Sequence, residues 1–284
     1  MNESKLFISG PRGQLGTALR AKYPLAQYAD IQALDITDER SVTGFDWSDV
    51  EILVNAAAFT DVDAAESLRG RRSAWLVNAA AVANLANIAR KHGITLVHIS
   101  SDYVFDGQEK LHNEDESLSP LSVYGASKAA GDLLVAQLPH HYIVRTSWVI
   151  GEGSNFVRTM LQLGNKGVNP SVVSDQVGRL TFTSELVRGI DHLLTGNAKY
   201  GTYNVTNDGD IISWADIAIE IFSLAQLKVE VEGVTTQQYF EGKTEIAPRP
   251  ANSALDLSKL QATGFSSRDW RKDLADYIDK EQAK

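Results

Sequence analysis

The sequence contains no cysteine, only two methionines and no long hydrophobic run. Without cysteine there can be no disulfide, no thiolate metal site and no cysteine nucleophile. No stretch approaches the ~20 apolar residues that a membrane-spanning helix needs. Residues 1–5 lead into a short apolar run and lack the basic and apolar regions of a signal peptide. We therefore expect a cytoplasmic protein without a membrane partner.

Basic residues are outnumbered by acidic ones, with 27 lysines and arginines against 36 aspartates and glutamates. The formal net charge is −9, which argues against nucleic acid as a partner, because phosphate binding needs a basic surface. An anionic substrate would need arginine or lysine placed locally. The six histidines show no metal-ligand spacing, so we expect no metal site. The 284 residues, 43% of them apolar, allow one large core or two unequal domains.

A glycine-rich turn follows the first apolar run. Residues 5–9 predict a buried strand, and Gly10-Pro-Arg-Gly13-Gln-Leu-Gly16 opens a helical stretch. Glycine lets the backbone approach a pyrophosphate, and the helix amino terminus offers unpaired N–H groups. Asp30 follows Gly10 by about 20 residues, where a carboxylate can accept from a ribose hydroxyl. The predicted cofactor-binding residues of this region are Gly10, Arg12, Gly13, Gln14, Leu15 and Asp30.

Two of these residues give opposing indications about a phosphate on the 2′ oxygen of the cofactor ribose. The carboxylate of Asp30 disfavours a 2′-phosphate, whereas the cation of Arg12 could attract one. The sequence therefore predicts NADH or NADPH without deciding between them.

Strands and helices alternate through the first half. Strands predicted at 51–55, 94–100 and 142–147 are separated by helices predicted at 73–92 and 123–138. This order predicts a Rossmann-like doubly wound α/β fold with a parallel sheet covered on both faces. Ligands bind beyond the carboxyl ends of such strands, and we expect small residues there to let a cofactor approach. These residues are Asn55, Ala56, Ala57 and Ala58.

The sequence pattern changes after Trp148. Residues 151–155 predict a flexible break, and a proline-stiffened loop at 247–252 carries a single arginine, Arg249. We predict a NAD(P)-binding domain of residues 1–150 and 171–206. Residues 151–170 and 207–284 are predicted to form a smaller substrate-binding domain that covers the cleft.

The most informative motif is Tyr124-Gly-Ala-Ser-Lys128, which follows Ser101 by about two dozen residues. On a helix, a four-residue spacing puts Tyr124 and Lys128 on one face. A phenol can protonate a carbonyl oxygen, and a neighbouring ammonium is expected to lower the pKa of that phenol. The same spacing recurs at Tyr239 and Lys243, but no strand ending in serines precedes that pair. We therefore predict Ser101, Tyr124 and Lys128 as catalytic residues.

The motifs together resemble those of the extended short-chain dehydrogenase/reductases and, within them, of reductases that act on dTDP-linked ketosugars. They follow the family order from residue 5 to beyond residue 250. The matching segments are Gly10-Pro-Arg-Gly-Gln-Leu-Gly16, Leu34-Asp-Ile-Thr-Asp38, residues 54–66, Ser100-Ser-Asp-Tyr-Val-Phe-Asp-Gly107, residues 123–131, Arg145-Thr-Ser-Trp148, Asn155-Phe156, Asp175-Gln176 and Arg249-Pro-Ala-Asn-Ser253.

The resemblance implies that NADPH or NADH reduces the C4 ketone of a dTDP-linked deoxysugar. It implies that Asp35 and Ile36 lie beside the adenine, and that Tyr124 and Lys128 also contact the cofactor. The residues implied to border the substrate are Ser101, Asp102, Tyr103, Trp148, Asn155 and Arg249. A homodimer, and fusion or pairing with a dTDP-sugar 3,5-epimerase, are left open by the resemblance.

Two positions depart from the family pattern. Ser101 stands where the family usually has threonine, which keeps the hydroxyl. Gly178-Arg-Leu-Thr181 replaces a family Gly-Ser-Pro-Thr, so that Arg179 either contacts a diphosphate or is a surface residue.

Two other functions are compatible with the same fold. A sugar-nucleotide dehydratase would be expected to carry an Asp-Glu pair after the serine, whereas Tyr103 follows Asp102 here. An epimerase of this fold is a related possibility. A non-catalytic NADP-binding regulatory subunit would not need Ser101, Tyr124 and Lys128 intact.

Overall fold

The computed structural model describes residues 1–196 and 198–283, and its centre is a parallel six-stranded sheet. The strands in that described part are β1 (Leu6–Ser9), β2 (Gln27–Ala29), β3 (Ile52–Asn55), β4 (Thr95–Ile99), β5 (His141–Arg145), β6 (Val149–Ile150), β7 (Ser171–Val173), β8 (Val177–Gly178), β9 (Thr181–Phe182), β10 (Gly201–Asn204), β11 (Ile212–Ser213) and β12 (Glu232–Val234). The helices are α1 (Gln14–Lys22), α2 (Glu39–Gly44), α3 (Leu68–Trp75), α4 (Ala81–His92), α5 (Val123–Val135), α6 (Phe156–Asn165), α7 (Thr183–Thr195), α8 (Trp214–Leu224), α9 (Thr236–Tyr239), α10 (Ser258–Gln261) and α11 (Trp270–Gln282).

The large sheet has the strand order β10-β5-β4-β3-β1-β2. Its strands are parallel, and the inner strands β1, β3, β4 and β5 are mostly buried, which explains their largely apolar sequence. One apolar cluster, with α4, covers one face, and another, with α1 and α7, covers the other. The predicted doubly wound α/β fold is confirmed. The order reverses between β1 and β3, where such sheets bind ligands.

A second apolar core lies outside this sheet. It joins α6, α8 and α11 and includes the fully buried Trp270. Three short strand pairs, β7–β12, β8–β11 and β6–β9, accompany it. Strand β7 pairs with β12 and β8 pairs with β11, whereas β9 pairs with β6 of the predicted cofactor domain. The domain division stays a prediction.

Helices α3 and α4 are joined by a π-helical turn, Leu76–Ala80. Such turns are rare and are frequently found at functional sites. Here the turn carries the buried Asn78, whose side chain bonds the Phe59 backbone and the Ser127 hydroxyl. In the described part of the chain, no helix combines the length and apolar character needed to cross a bilayer.

Candidate active site

A cavity of about 330 Å³ lies at the carboxyl ends of the neighbouring strands β1 and β3. It brings together most of the predicted cofactor residues, from the glycine turn, the end of β2 and the loop after β3. The predicted residues that line it are Gly10, Arg12, Gly13, Asp30, Asp35, Ile36, Ala56, Ala57 and Ala58.

The three glycines of the turn differ in how much space a side chain would have at each position. Gly10 has a φ of +69°, and a Cβ there would lie 2.6 Å from the Ala57 backbone nitrogen. A Cβ on Gly16 would lie 2.1 Å from the Gly10 carbonyl oxygen, so this glycine lets α1 pack against the turn. A Cβ on Gly13 would meet the Gly10 oxygen at 3.6 Å, an ordinary contact among the described residues. A side chain at Gly10 or Gly16 would therefore clash with the protein itself. A side chain at Gly13 would not, and Gly13 lines the cavity.

The beginning of α1 fits a pyrophosphate. Within the described residues, its N-cap, Gly13, provides no side-chain hydrogen bond to the first helical N–H groups. Such groups and the helix dipole favour an anion. The cavity residues thus fit a dinucleotide at this position.

Arg12 and Asp30 form an ion pair at the rim of this cavity. The Arg12 side chain is 76% exposed, so its guanidinium remains accessible to a phosphate as well. The negative charge of Asp30 is therefore balanced by Arg12, so that Asp30 repels the 2′-phosphate of NADPH less than an unpaired carboxylate would.

Five of the predicted cofactor residues lie outside the lining of this cavity: Gln14, Leu15, Asn55, Tyr124 and Lys128. Leu15 is buried in the core beneath α1, so its side chain is committed to packing and any cofactor contact falls to its backbone. Gln14 lies outside the lining of the cavity, and its Oε1 is buried without a hydrogen-bond partner in the described part of the chain. Asn55 is 1% exposed, accepts from the Ser9 hydroxyl at 2.7 Å and donates to His98 Nδ1 at 3.2 Å. Its side chain thus ties strand ends together.

Tyr124 and Lys128 lie on α5, as the spacing predicted, and both are buried. Helix α5 begins at Ser122, whose hydroxyl accepts from the Gly125 N–H. Lys128 Nζ donates to the Ile99 carbonyl at the end of β4, at 2.5 Å. Burial lowers the pKa of Lys128 to about 8, against the opposing charge of Asp132.

The expected lowering of the Tyr124 pKa is wrong for the protein alone. Burial raises the pKa of Tyr124 to about 12, and a hydrogen bond with Ser101 only partly opposes that effect. The charges of Asp102 and Asp132 raise the pKa of Tyr124 as well, so the phenol is protonated at neutral pH and well into the alkaline range. A protonated phenol is the form that can give a proton to a carbonyl.

Ser101 follows β4, and its hydroxyl donates to Asp102 Oδ1 at 3.0 Å. Asp102 is 3% exposed, and burial raises its pKa to about 6. The Tyr103 ring packs edge-on against the Tyr124 ring, with centroids 5.4 Å apart. Tyr103 thus connects the proposed proton donor to a second cavity.

That second cavity measures about 350 Å³, and we call it the aromatic cavity because six aromatic residues line it: Tyr103, Trp148, Phe156, Trp214, Tyr239 and Phe240. Of the predicted substrate residues, Tyr103, Trp148 and Arg249 line it. Trp148 has a φ of +46°, which is rare for a bulky residue and marks backbone strain. Its ring stacks on Trp214 with centroids 3.7 Å apart, and a Cβ at Gly178 would come within 3.0 Å of the Trp148 ring.

Three residues do not lie where the sequence suggested a substrate contact or an exposed position: Asn155, Asp102 and Arg179. The Asn155 side chain caps α6, accepting from the Arg158 N–H and donating to the Gly151 carbonyl and the Tyr277 hydroxyl. Asp102 is buried behind Ser101 and lies outside the cavity lining. Arg179 fits neither alternative, because it is 5% exposed and its guanidinium binds Asp208 and the Leu255 carbonyl.

Several lining residues were not predicted as substrate-binding residues, although Phe156, Gln176, Pro250 and Ser253 lie within the segments that match the family. The full set is Phe156, Thr159, Met160, Ser171, Val172, Val173, Gln176, Trp214, Tyr239, Phe240, Pro250 and Ser253. Trp214, for example, opens α8 in a segment without a recognisable motif. Tyr239 belongs to the second Tyr-Lys pair of the sequence, and the ammonium of Lys243 lies over the rings of both Tyr239 and Phe240.

A parallel doubly wound sheet, a glycine-rich dinucleotide cradle and a buried Tyr-Lys pair define a nucleotide-dependent α/β oxidoreductase. The family model described as RmlD substrate binding domain matches residues 4–283, and the chain belongs to that family. This confirms the resemblance found in the sequence.

Curated relatives and solved structures agree with this assignment. The dTDP-4-dehydrorhamnose reductase of Aggregatibacter actinomycetemcomitans is 39% identical, over 95% of this chain and 97% of the relative. A dTDP-4-dehydrorhamnose reductase structure from Clostridium acetobutylicum has a TM-score of 0.90 at 37% identity, covering 98% of this chain and 99% of that one. That from Bacillus anthracis, in complex with NADP, has a TM-score of 0.88 at 36% identity and covers 97% of each chain.

Proposed function

We propose that the protein reduces the C4 ketone of dTDP-4-dehydro-L-rhamnose to dTDP-L-rhamnose, with NADPH or NADH as the reductant. The family assignment supports an oxidoreductase of this kind, and the relatives named for this reaction span nearly the whole chain. The observation that carries the proposal is the contact between Tyr103, which lines the aromatic cavity, and Tyr124 on α5.

The reaction adds a hydride to C4 and a proton to its oxygen, which converts the ketone to an alcohol. The nicotinamide, when bound, supplies the hydride. Tyr124 holds the proton and donates it to the ketone oxygen, since burial keeps its phenol protonated. Ser101 donates a hydrogen bond to the same oxygen, for which its hydroxyl must turn away from Asp102.

Lys128 has the supporting role. Its ammonium is fixed by the Ile99 carbonyl at the carboxyl edge of the sheet, where it can bind the ribose next to the nicotinamide. Its positive charge would stabilise a phenolate left behind on Tyr124. The glycine turn and Ala56, Ala57 and Ala58 hold the rest of the dinucleotide.

The aromatic cavity provides the second substrate. Trp148 and Trp214 form an apolar stacking surface, and Arg249 supplies a cation to that lining. A nucleotide diphosphate needs both a flat apolar surface and a cation. The overall charge of −9 makes such a local cation necessary.

Incubation of the purified protein with the ketosugar tests the proposal. NADPH absorbance should fall without any added partner protein, and dTDP-L-rhamnose should accumulate in equal amount. NADPH binding without consumption would favour a regulatory subunit instead, and an epimerised or dehydrated product would identify a related enzyme. The cytoplasmic location, the homodimer and the pairing with an epimerase stay predictions.

A further inference from the structure

Asp63 joins two parts of the site that the sequence separates widely. It follows the loop after β3, whose first residues line the dinucleotide cavity. One carboxylate oxygen of Asp63 accepts from the Ala247 N–H at 3.0 Å, and the other accepts from Arg249 at 2.7 Å. A single carboxylate thus holds both the backbone and the cation of the 247–252 loop.

Arg249 is fixed on several sides. Its NH1 donates to the Ala247 carbonyl at 2.8 Å, and its guanidinium carbon lies 4.6 Å from the centre of the Phe240 ring. Both Arg249 and Phe240 line the aromatic cavity. Arginine loses considerable rotamer entropy when it is ordered. Contacts that hold it before a ligand arrives therefore reduce the entropy cost of binding.

Asp63 is itself firmly placed. The segment that carries it is tied to the catalytic helix, because Glu66 accepts from the Val123 N–H at 2.9 Å. Phe59, earlier in the same segment, is held by both ends of the Asn78 amide. Burial acts to raise the pKa of Asp63, but the hydrogen bonds from Arg249 and Ala247 outweigh it, so the pKa lies below its usual range. The carboxylate is consequently ionised at neutral pH.

We infer that Asp63 is a positioning residue that holds Arg249 in the orientation needed to bind the diphosphate of the sugar nucleotide. This inference rests on the proposed function, in which Arg249 contacts the substrate. Asp63 acts through Arg249 and not on the reacting atoms. Its loss should therefore weaken nucleotide binding and raise KM, while kcat and cofactor affinity stay nearly unchanged.

A double-mutant cycle with dTDP as the probe, measured by calorimetry in the presence of NADPH, tests this inference. Asp63→Asn should weaken dTDP binding about tenfold and Arg249→Ala by at least as much, as expected for loss of a positioned charged contact. The double variant should bind dTDP no more weakly than Arg249→Ala alone, because Asp63 would have nothing left to position. Asp210→Asn, which breaks another arginine ion pair with a largely exposed aspartate, is the matched control and should bind as the wild type does.

Asp63→Glu provides a second variant that keeps the charge. It should retain more dTDP affinity than Asp63→Asn, and thermal unfolding of each variant shows whether the fold is intact. Additive losses in the cycle would overturn the inference, as would tighter binding by Asp63→Asn, which would make Asp63 a competitor for Arg249. A wild-type protein that does not bind dTDP would instead overturn the proposed function, and with it this inference.

Discussion

The Trp148 indole stacks on the Trp214 ring with centroids 3.7 Å apart and planes inclined by 19°. Trp148 follows β5 of the large sheet, and Trp214 is the first residue of α8 in the second core. Both rings pack against the second core and form part of the wall of the aromatic cavity. The stack also holds Trp148 in a backbone conformation that bulky residues rarely adopt.

Removal of the Trp214 ring should weaken nucleotide binding. Aromatic pairs contribute about 0.5–1.5 kcal/mol beyond their buried area, so Trp214→Leu should raise the Kd for dTDP roughly 2- to 12-fold. Trp214→Phe should lose less, and calorimetry measures both. Trp75→Leu, which alters a half-exposed tryptophan outside the cavity lining, is the control. Equal dTDP affinity of Trp214→Leu and wild type would exclude the stack from the binding surface.

Gly13 and Gly16 should respond differently to alanine. Gly16→Ala places a methyl group 2.1 Å from the Gly10 oxygen, and this clash should lower the free energy of unfolding by about 1–2 kcal/mol despite the helix preference of alanine. Gly13→Ala should leave that free energy nearly unchanged, because its Cβ has room in the protein, but weaken NADPH binding about tenfold. Denaturant unfolding and NADPH titration separate the two effects. A Gly13→Ala protein that binds NADPH normally would contradict the cradle.

The Arg12–Asp30 pair should set the cofactor preference. Arg12→Ala removes an accessible cation and leaves Asp30 facing the ribose, so the Kd for NADPH should rise about tenfold while that for NADH changes little. Fluorescence titration with both cofactors measures the ratio. Arg20→Ala, an exposed arginine on α1 that stacks on Tyr28, should change neither Kd. Equal losses for NADH and NADPH would refute a role for Arg12 at the 2′ position.

The pH dependence of turnover should follow Lys128. Its pKa is lowered to about 8 by burial, so the ammonium is present below pH 8 and is lost as the pH rises through that value. Turnover should fall on the same alkaline side, whereas Tyr124 remains protonated there because its pKa is about 12. The buried His98 on β4 is neutral, since burial holds its pKa well below the usual value.

Asp132 provides the variant for that profile. Its carboxylate lies one turn beyond Lys128 on α5, bonds Arg145 at 3.1 Å and raises the Lys128 pKa. Asp132→Asn should therefore move the alkaline fall of kcat/KM to lower pH. A shift to higher pH, or no shift in a folded protein, would show that Lys128 does not control the profile.

The fold and the cofactor cavity were predictable because their signals are local. A strand followed by Gly10, Gly13 and Gly16 has few other structural solutions, and parallel strands bring their carboxyl ends to one edge. The placement of Tyr124 and Lys128 four residues apart on one helix likewise followed from the sequence pattern. These features depend on short segments whose geometry the chain fixes by itself.

The remaining site depends on contacts between distant segments, which periodicity does not reveal. Trp214 meets Trp148 across 66 positions of sequence, and Asp63 meets Arg249 across 186. Asn155 has the residue type of a binding group but caps a helix instead. The raised pKa of Tyr124 likewise reflects burial, which residue spacing does not reveal.

Turnover by Tyr124→Phe decides whether Tyr124 is the proton donor. With dTDP-4-dehydro-L-rhamnose and NADPH, the variant should lose about 100-fold or more of kcat, because a positioned proton donor contributes 10²–10⁴-fold. Its Kd for NADPH should stay close to the wild-type value. Tyr200→Phe, which alters a tyrosine that is 48% exposed, should keep full activity. A Tyr124→Phe enzyme that reduces the ketosugar at the wild-type rate would show that Tyr124 is not the proton donor.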